Sequence, residues 1–423
     1  MDFFKYNFRS ATKFIFLLGL VFLCACKSDN SIAPEEEASI VMDMPNDSTG
    51  SVTDSVQLIE HKLMINLFQF FPDAINLFRS ERTNGYFLTV RGRNYSSAIN
   101  RVFHIDDSVQ IDWNLDVTPI PSGSFGVQFY SNDENQRLNF RKKSSSYPEG
   151  LIISEIGHRG LINVIFELSE PFGFASSNLP PVSRLGELYV LSWVNTDHEA
   201  PNRTHRVIGF NSAGIPVWQD EFPSRSNTYA KMRVFNRQLF YAYKTLDESG
   251  ANQLRLRIYD ENGQVQVDFF LYSELMGWNT AQENVADIIV EDNILYVLSQ
   301  GWSYTKNRIA KYDLTGELLR EIEFGQRLTD FDLNQAGLWS IGNDFSHDPE
   351  LTLGNPFILK LTRDLEILFQ SEIVDITSRG GRGKIVTHEN GMLVAGFSHF
   401  EDFSAKPYVI SLDNEGQIVT SEK

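Results

Sequence analysis

Short turns that recur at a nearly constant spacing are the feature of this sequence that most constrains its fold. Each turn is flanked by short apolar segments, and most turns carry a glycine, which supplies a positive φ without a Cβ penalty. The turns fall 49 to 54 residues apart, at Asp107, Gly160, Gly214, Gly263, Gly316, Leu365 and Gly416. A period of this length, filled with short strands and without helical periodicity, indicates stacked four-stranded sheets.

The strands of one repeat can be placed around its turn. An apolar strand such as residues 295–299 follows a first strand such as residues 285–290, and a third strand such as residues 308–313 leads into the turn and the last strand. Seven turns therefore predict an all-β chain folded as a seven-bladed β-propeller, whose ring protects most sheet edges. Six or eight blades remain open, as does a two-domain chain with a five-bladed C-terminal part.

Two regions fit the repeat less well. Residues 122–170 are the weakest match, with residues 123–131 and 136–144 as the expected inner strands. The last unit looks complete at its C-terminus, which leaves the closure of the ring open. We expect residues 62–71 to add an extra strand or a cap.

Individual units resemble the propeller repeats common in exported bacterial proteins, in which an aromatic-aliphatic-Lys-Leu-Asp strand precedes the glycine turn. Residues 355–361 and 406–419 match this pattern best. The scaffold serves many functions, so the resemblance implies a fold and not a chemistry.

The N-terminus resembles the signal of bacterial lipoproteins. Basic residues precede an apolar stretch, residues 14–22, that is too short to span a bilayer stably. Leu23, Cys24, Ala25 and Cys26 follow it and are similar to a lipobox. The resemblance implies that residues 1–25 are removed as a signal peptide and that Cys26 is acylated, so that the chain attaches to a membrane through its lipid.

Residues 26–56 are predicted to be the lipidated cysteine and an acidic, disordered tether ahead of a propeller domain at residues 57–423. The segment after Cys26 is rich in Ser, Asp, Glu and Pro and lacks aromatic residues. Such a tether reaches roughly 30 Å. Residues 27–30 resemble the short acidic export signals of surface lipoproteins of the Bacteroidota. We therefore expect an outer-membrane protein and favour the cell surface over a periplasm-facing anchor.

Charge and cysteine content narrow the possible partners. The chain has a formal net charge of -18, so it repels phosphate backbones and anionic headgroups, and nucleic acid is excluded as a partner. Cleavage before Cys26 leaves this residue as the only cysteine. The fold is therefore expected to be stabilised by core burial without a disulfide.

No motif in the sequence marks a reaction. The Gly-x-x-x-Trp motif of quinoprotein propellers occurs once, at Gly214 and Trp218, which favours a single packed tryptophan over quinone binding. His198, His347 and His399 fall in loops joining second and third strands and have acidic neighbours, but they lack an HExxH-type spacing. The sequence predicts no cofactor and no metal, and it favours a non-catalytic role.

Aromatic and histidine residues in the same loops predict a recognition face. The candidate binding residues are Trp302, Tyr304, Phe345, His347, His399 and Phe400. Rigidly held loops rich in rings are typical of surfaces that bind sugars or proteins, so we expect a glycan or an envelope protein as the partner. The alternatives are a propeller enzyme that hydrolyses or cleaves glycans and an architectural subunit of a transport or secretion complex. Trp193 and Tyr243 are expected to pack between blades, and the oligomeric state is left open.

Overall fold

A computed structural model gives the fold of the chain. It describes residues 55–59, 62–67, 71–80, 85–93, 98–117, 128–131, 138–143, 151–156, 162–168, 182–195, 204–223, 230–246, 252–275, 283–301, 306–344, 353–373, 378–379, 383–399 and 405–419. The regular elements within these ranges are β-strands. None of the described residues forms a helix with the length and apolarity needed to cross a membrane.

The strands form seven antiparallel blades, as the sequence predicts. From the first strand outward, blade 1 is β3 (Phe71–Ser80), β4 (Gly85–Arg93), β5 (Ala98–Asp106) and β6 (Ile111–Asp116), and blade 2 is β7 (Gln128–Ser131), β8 (Leu138–Lys143), β9 (Leu151–Ile156) and β10 (Ile162–Leu168). Blade 3 is β11 (Val182–Leu185), β12 (Leu188–Asn195), β13 (Thr204–Phe210) and β14 (Pro216–Pro223), and blade 4 is β15 (Lys231–Phe235), β16 (Gln238–Leu246), β17 (Asn252–Tyr259) and β18 (Val265–Phe270). Blade 5 is β19 (Asn284–Glu291), β20 (Ile294–Gln300), β21 (Asn307–Asp313) and β22 (Leu318–Phe324), and blade 6 is β23 (Arg327–Asn334), β24 (Gly337–Asp344), β25 (Leu353–Leu361) and β26 (Ile367–Glu372).

Blade 7 combines both ends of the propeller sequence. Its strands are β28 (Lys384–His388), β29 (Gly391–His399), β30 (Ala405–Asp413), β2 (Lys62–Asn66) and, outermost, β1 (Ser55–Ile59). The short β27 (Ser378–Arg379) bridges β25 and β29 and so joins blades 6 and 7.

The strand β2 closes the ring, and this answers the question of closure. It lies antiparallel to β30, with Leu63 opposite Val409. The side chains of Leu63 and Ile65 are buried and pack in one cluster with residues of blades 1 and 7, such as Leu77 and Leu393. The extra strand expected near residues 62–71 is therefore the strand that completes the last blade.

The turn that ends the third strand has a common hydrogen-bonded form in blades 1 and 3–7, where this turn is described. In blade 5 the Asp313 N–H donates to the Glu317 carbonyl (3.0 Å), and the Gly316 N–H donates to the Asp313 carbonyl (3.2 Å). The Asp313 carboxylate also accepts the N–H of Glu317 at 2.9 Å. A turn of this kind, with a left-handed residue before a bulged strand, joins antiparallel strands in tight register.

One predicted turn position is wrong by two residues. In blade 1 the residue equivalent to the turn glycines is Val109, with φ 61°, and not Asp107. Leu365 of blade 6 also has φ 61°, so these two turns use the left-handed conformation without glycine. Gly160 lies outside the described residues.

Turn glycines also pack against the preceding blade. A Cβ added to Gly263 would lie 2.1 Å from the Trp218 ring of blade 3, closer than any side chain can tolerate. Two further pairs repeat this contact, Gly316 with Phe269 and Gly416 with Phe369. Trp218 is thus packed between blades, as expected. Tyr243 is also packed between blades, because its ring centroid lies 4.6 Å from that of Phe222 in blade 3.

Candidate functional site

Charged side chains on the first strands of four blades meet at the centre of the ring. These first strands contact one another from blade to blade, in the order β11, β15, β19, β23, β28 and β3, so they are the innermost strands. Their interacting charged residues, here named the channel cluster, are Lys231 and Arg233 of β15, Asp287 of β19, Asp330 and Asp332 of β23, and Lys384 of β28. Three basic and three acidic groups balance one another.

Asp330 and Lys384 form the central pair of the cluster. Lys384 Nζ lies 2.8 Å from Asp330 Oδ1, and the Ile385 N–H donates to Oδ2 at 3.0 Å. Burial, helped by the nearby charge of Asp287, raises the pKa of Asp330 to about 6, although Lys384 opposes this rise. Burial disfavours the charged form of Lys384, but Asp330 and Asp287 outweigh it and raise the Lys384 pKa. The pair ties the innermost strands of blades 6 and 7 together.

The other members of the cluster are also held by neighbours. Asp332 accepts the Thr387 N–H at 2.7 Å and its hydroxyl at 3.0 Å, and burial raises the pKa of the Asp332 carboxyl. Burial opposes ionisation of Asp287, but the charges of Arg233, Lys384 and Lys231 outweigh it and lower the pKa of this carboxyl.

Burial also lowers the pKa of Lys231, because a charged amine is costly away from water. The cluster is therefore a set of matched charges around Asp330, which is the member placed to exchange a proton near neutral pH. Among the described residues, no group of three or more His, Cys, Asp and Glu side chains is placed to hold a metal ion.

Sequence reasoning missed the channel cluster because its partners belong to different repeats. Asp330 and Lys384 are 54 residues apart, and Asp332 and Thr387 are 55 apart. These offsets are close to the spacing of the turns, which is 49 to 54 residues. Charged residues of opposite sign at one repeat length, on predicted first strands, are the signal that could have found the cluster.

Five of the six predicted binding residues fall in segments that the structure does not describe. Trp302 and Tyr304 lie between β20 and β21, Phe345 and His347 between β24 and β25, and Phe400 between β29 and β30. His399 is the last residue of β29, and its side chain is outside the described part. Cys26, His198 and the side chain of Trp193 are outside it as well. The second strands of blades 5, 6 and 7 run in the same direction, so the strands from which these segments leave all end at one face of the ring.

A second charged network lies in blade 5, away from the centre. Arg308 Nη2 lies 2.8 Å from Glu283 Oε1, and both side chains are fully buried. The guanidinium also donates to Glu321 at 2.9 Å and to the Tyr312 hydroxyl at 3.0 Å. The Arg308 guanidinium and the Tyr312 hydroxyl also donate to the Tyr272 carbonyl, just after the last strand of blade 4, so the network ties blade 5 to the segment that leads into it.

The strands and their order define the class of this protein as a β-propeller. No protein-family model matches the chain, and no curated protein matches it. Among solved structures it is similar to BamB from Moraxella catarrhalis, with 15% identity over 82% of this chain and 90% of that chain and a TM-score of 0.42.

Two further solved structures are similar to the chain. Apo AztD from Citrobacter koseri is 14% identical over 86% of this chain and 92% of that chain, with a TM-score of 0.46. The β-propeller domain of the Trilobed protease from Pyrococcus furiosus is 7% identical over 84% of this chain and 95% of that chain, with a TM-score of 0.47. At such identities the likeness concerns the fold alone, and the blade assignment rests on the strand pairing of this chain.

Proposed function

We propose that this protein is a lipid-anchored recognition platform of the outer membrane. In this proposal Cys26 carries the lipid, residues 27–56 form the tether, and the segments containing Trp302, Phe345 and Phe400 bind a glycan or an envelope protein. The cell surface is the favoured location, and a periplasm-facing anchor is the alternative.

The observation that carries this proposal is the way in which the ring is fixed. Matched charges tie the innermost strands together, while glycine and aromatic contacts tie neighbouring blades together farther out. The ends of β20, β24 and β29 are therefore held in fixed relation to one another. Loops that leave a rigid frame lose less conformational entropy on binding, so several modest contacts can act together. The channel charges are already used in holding the frame.

Two experiments test the proposal. The native protein is used as bait in detergent-solubilised envelopes, and in parallel it is applied to a glycan array. We expect either a stoichiometric protein partner or a saturable glycan signal, and we expect a variant with Trp302, Tyr304, Phe345 and Phe400 changed to alanine to lose it. If the native protein gives neither a protein partner nor a glycan signal, the recognition role is overturned. Cys26→Ser is expected to release the protein from membranes, and retention there would overturn the anchor.

One observation favours a second candidate, a glycan hydrolase or lyase. Asp330 lies in the channel with a pKa of about 6 beside Lys384, and a carboxyl that exchanges protons near neutral pH can serve as a general acid or base. The test is release of reducing ends or unsaturated products from a polysaccharide panel. Activity in the wild type that is lost in Asp330→Asn would support catalysis, and an inactive wild type would exclude it for that panel.

A further inference from the structure

Two polar side chains are deeply buried between blades 6 and 7. Asn343, near the end of β24, is 1% exposed, and Tyr408 of β30 is 0% exposed. The nitrogen and oxygen of the Asn343 amide have no hydrogen-bond partner among the described residues, and the Tyr408 hydroxyl has none there either. Buried polar groups are almost always paired, because an unpaired one loses its bonds to water without replacement. We therefore expect a bound group to pair with the polar atoms of these two side chains.

Strand register shows that the two side chains lie at the same height in the ring. Asp330 is opposite Ile341 in blade 6, and Ile385 is opposite Val394 in blade 7. The hydrogen bond from the Ile385 N–H to Asp330 sets these two levels side by side. One step of two residues toward the strand ends reaches Asn343 in blade 6. The same step in blade 7 reaches Gly396, which is opposite Tyr408.

Packing shows that the two side chains also face the same gap. Ile341 of blade 6 lies in one hydrophobic cluster with Val394 and Tyr408 of blade 7. Side chains two residues apart on a strand share a face, so Asn343 points to the same side of β24 as Ile341. The two residues thus approach the gap from opposite blades without bonding to each other.

Glycines allow close packing at this level. A Cβ on Gly396 would lie 2.5 Å from the Tyr408 hydroxyl, so the phenol lies across Gly396 on β29. A Cβ on Gly383, just before β28, would lie 2.5 Å from Ile341 Cδ1. Larger residues at these two positions would displace the Tyr408 phenol and the Ile341 side chain.

We propose that Asn343 and Tyr408 form a binding site for one uncharged hydroxyl group, supplied by a bound water or by a sugar. The amide offers one acceptor and two donors, and the phenol offers one of each, so a single hydroxyl between them can both donate and accept. A charged group would have to give up its hydration in this gap, at a far higher cost than a hydroxyl. The sugar source rests on the recognition role proposed above, because the segments containing Phe345 and Phe400 leave β24 and β29 next to this level. The water source does not depend on that role.

The test uses Tyr408→Phe and Asn343→Leu in the full chain, with melting temperature as the readout. If a hydroxyl is bound, each change removes a satisfied hydrogen bond and lowers the melting temperature. Tyr312→Phe is the comparison variant, because the buried Tyr312 hydroxyl donates to the Tyr272 carbonyl at 2.5 Å and accepts from Arg308 at 3.0 Å. We expect Tyr408→Phe to lower the melting temperature, but by less than Tyr312→Phe, which also loses a hydrogen bond to a charged group. A rise in both variants would show unpaired groups in a dry gap and would overturn the site.

A second measurement separates the two sources of the hydroxyl. Neutral hexoses are added at millimolar concentration to the wild type and to Tyr408→Phe. A rise in melting temperature that is confined to the wild type identifies a sugar hydroxyl, and no rise in either protein assigns the site to water. If hexoses do not raise the melting temperature, a sugar is excluded as the source of the hydroxyl, and the recognition role is then tested by the envelope pull-down alone.

Discussion

Replacing Ile65 with alanine tests whether β2 closes the ring. The Ile65 side chain is 2% exposed and lies in the cluster shared by blades 1 and 7. Truncating a fully buried isoleucine removes its burial and leaves a cavity, and the cost is about 2 to 5 kcal/mol. We expect a cost in the upper part of this range, because β2 is held to the ring by its pairing with β30 and by this cluster. Loss of the Ile65 contacts weakens the attachment of β2, and its detachment would expose an edge of blade 7.

The assay is urea denaturation of the Cys26→Ser protein, followed by tryptophan fluorescence. Ile367→Ala is the matched control, because Ile367 lies on the outer strand β26 and is 53% exposed. Its free energy of unfolding should change by no more than about 0.5 kcal/mol. Equal denaturation midpoints for the two variants would refute the closure by β2.

Three further changes probe the packing within and between blades. Burial lowers the pKa of His205 from 6.5 to about 4, so the contribution of this residue to stability is present above pH 6.5 and is lost as the pH falls toward 4. Urea denaturation above pH 6.5 and at pH 4 should therefore show the wild type losing about 3 kcal/mol more than His205→Gln. Equal losses in the two proteins would contradict this. Gly263→Ala, at φ 75° against an indole ring, should cost about 2 to 4 kcal/mol, whereas Gly325→Ala, with nothing within 4 Å, should be nearly neutral by thermal melting. Arg308→Met removes the fully buried ion pair with Glu283 and should cost about 3 to 5 kcal/mol. An unchanged urea midpoint would show that the network adds nothing.

The blade pattern could be predicted from the sequence because its turns depend on local conformation. Glycines such as Gly263 and Gly316 mark the left-handed position directly. The pattern was displaced in blade 1 because Val109 adopts a conformation that β-branched residues rarely take. Its position is fixed by the surrounding turn and not by its own preference.

The docking of blades was only partly visible in the sequence. A search for Gly-x-x-x-Trp finds Trp218 alone, but Trp113 follows Val109 by the same four residues, and Phe369 follows Leu365 in the same way. Trp113 packs at a cluster that includes Ile156 of blade 2, and Phe369 lies against Gly416 of blade 7. The pattern is therefore geometric, and its residue types vary.

The closure and the channel cluster could not be predicted, because both depend on contacts far apart in the sequence. The pairing of Leu63 with Val409 joins the two ends of the domain, and no local signal specifies it. Asp330 looks like any acidic residue in an acidic chain until Lys384 is placed beside it. The predicted recognition residues remain a prediction, since their segments lie outside the described residues.

Binding of the recovered partner by two variants tests the recognition role most directly. One variant carries alanine at Trp302, Tyr304, Phe345 and Phe400, and the other is Asp330→Asn in the channel cluster. Affinity for the protein or glycan recovered by the native chain is measured for each, after circular dichroism shows that both are folded. The proposed role predicts that the loop variant loses binding at least tenfold while Asp330→Asn binds like wild type. Binding that survives in the loop variant and fails in Asp330→Asn would contradict it and place the function in the channel.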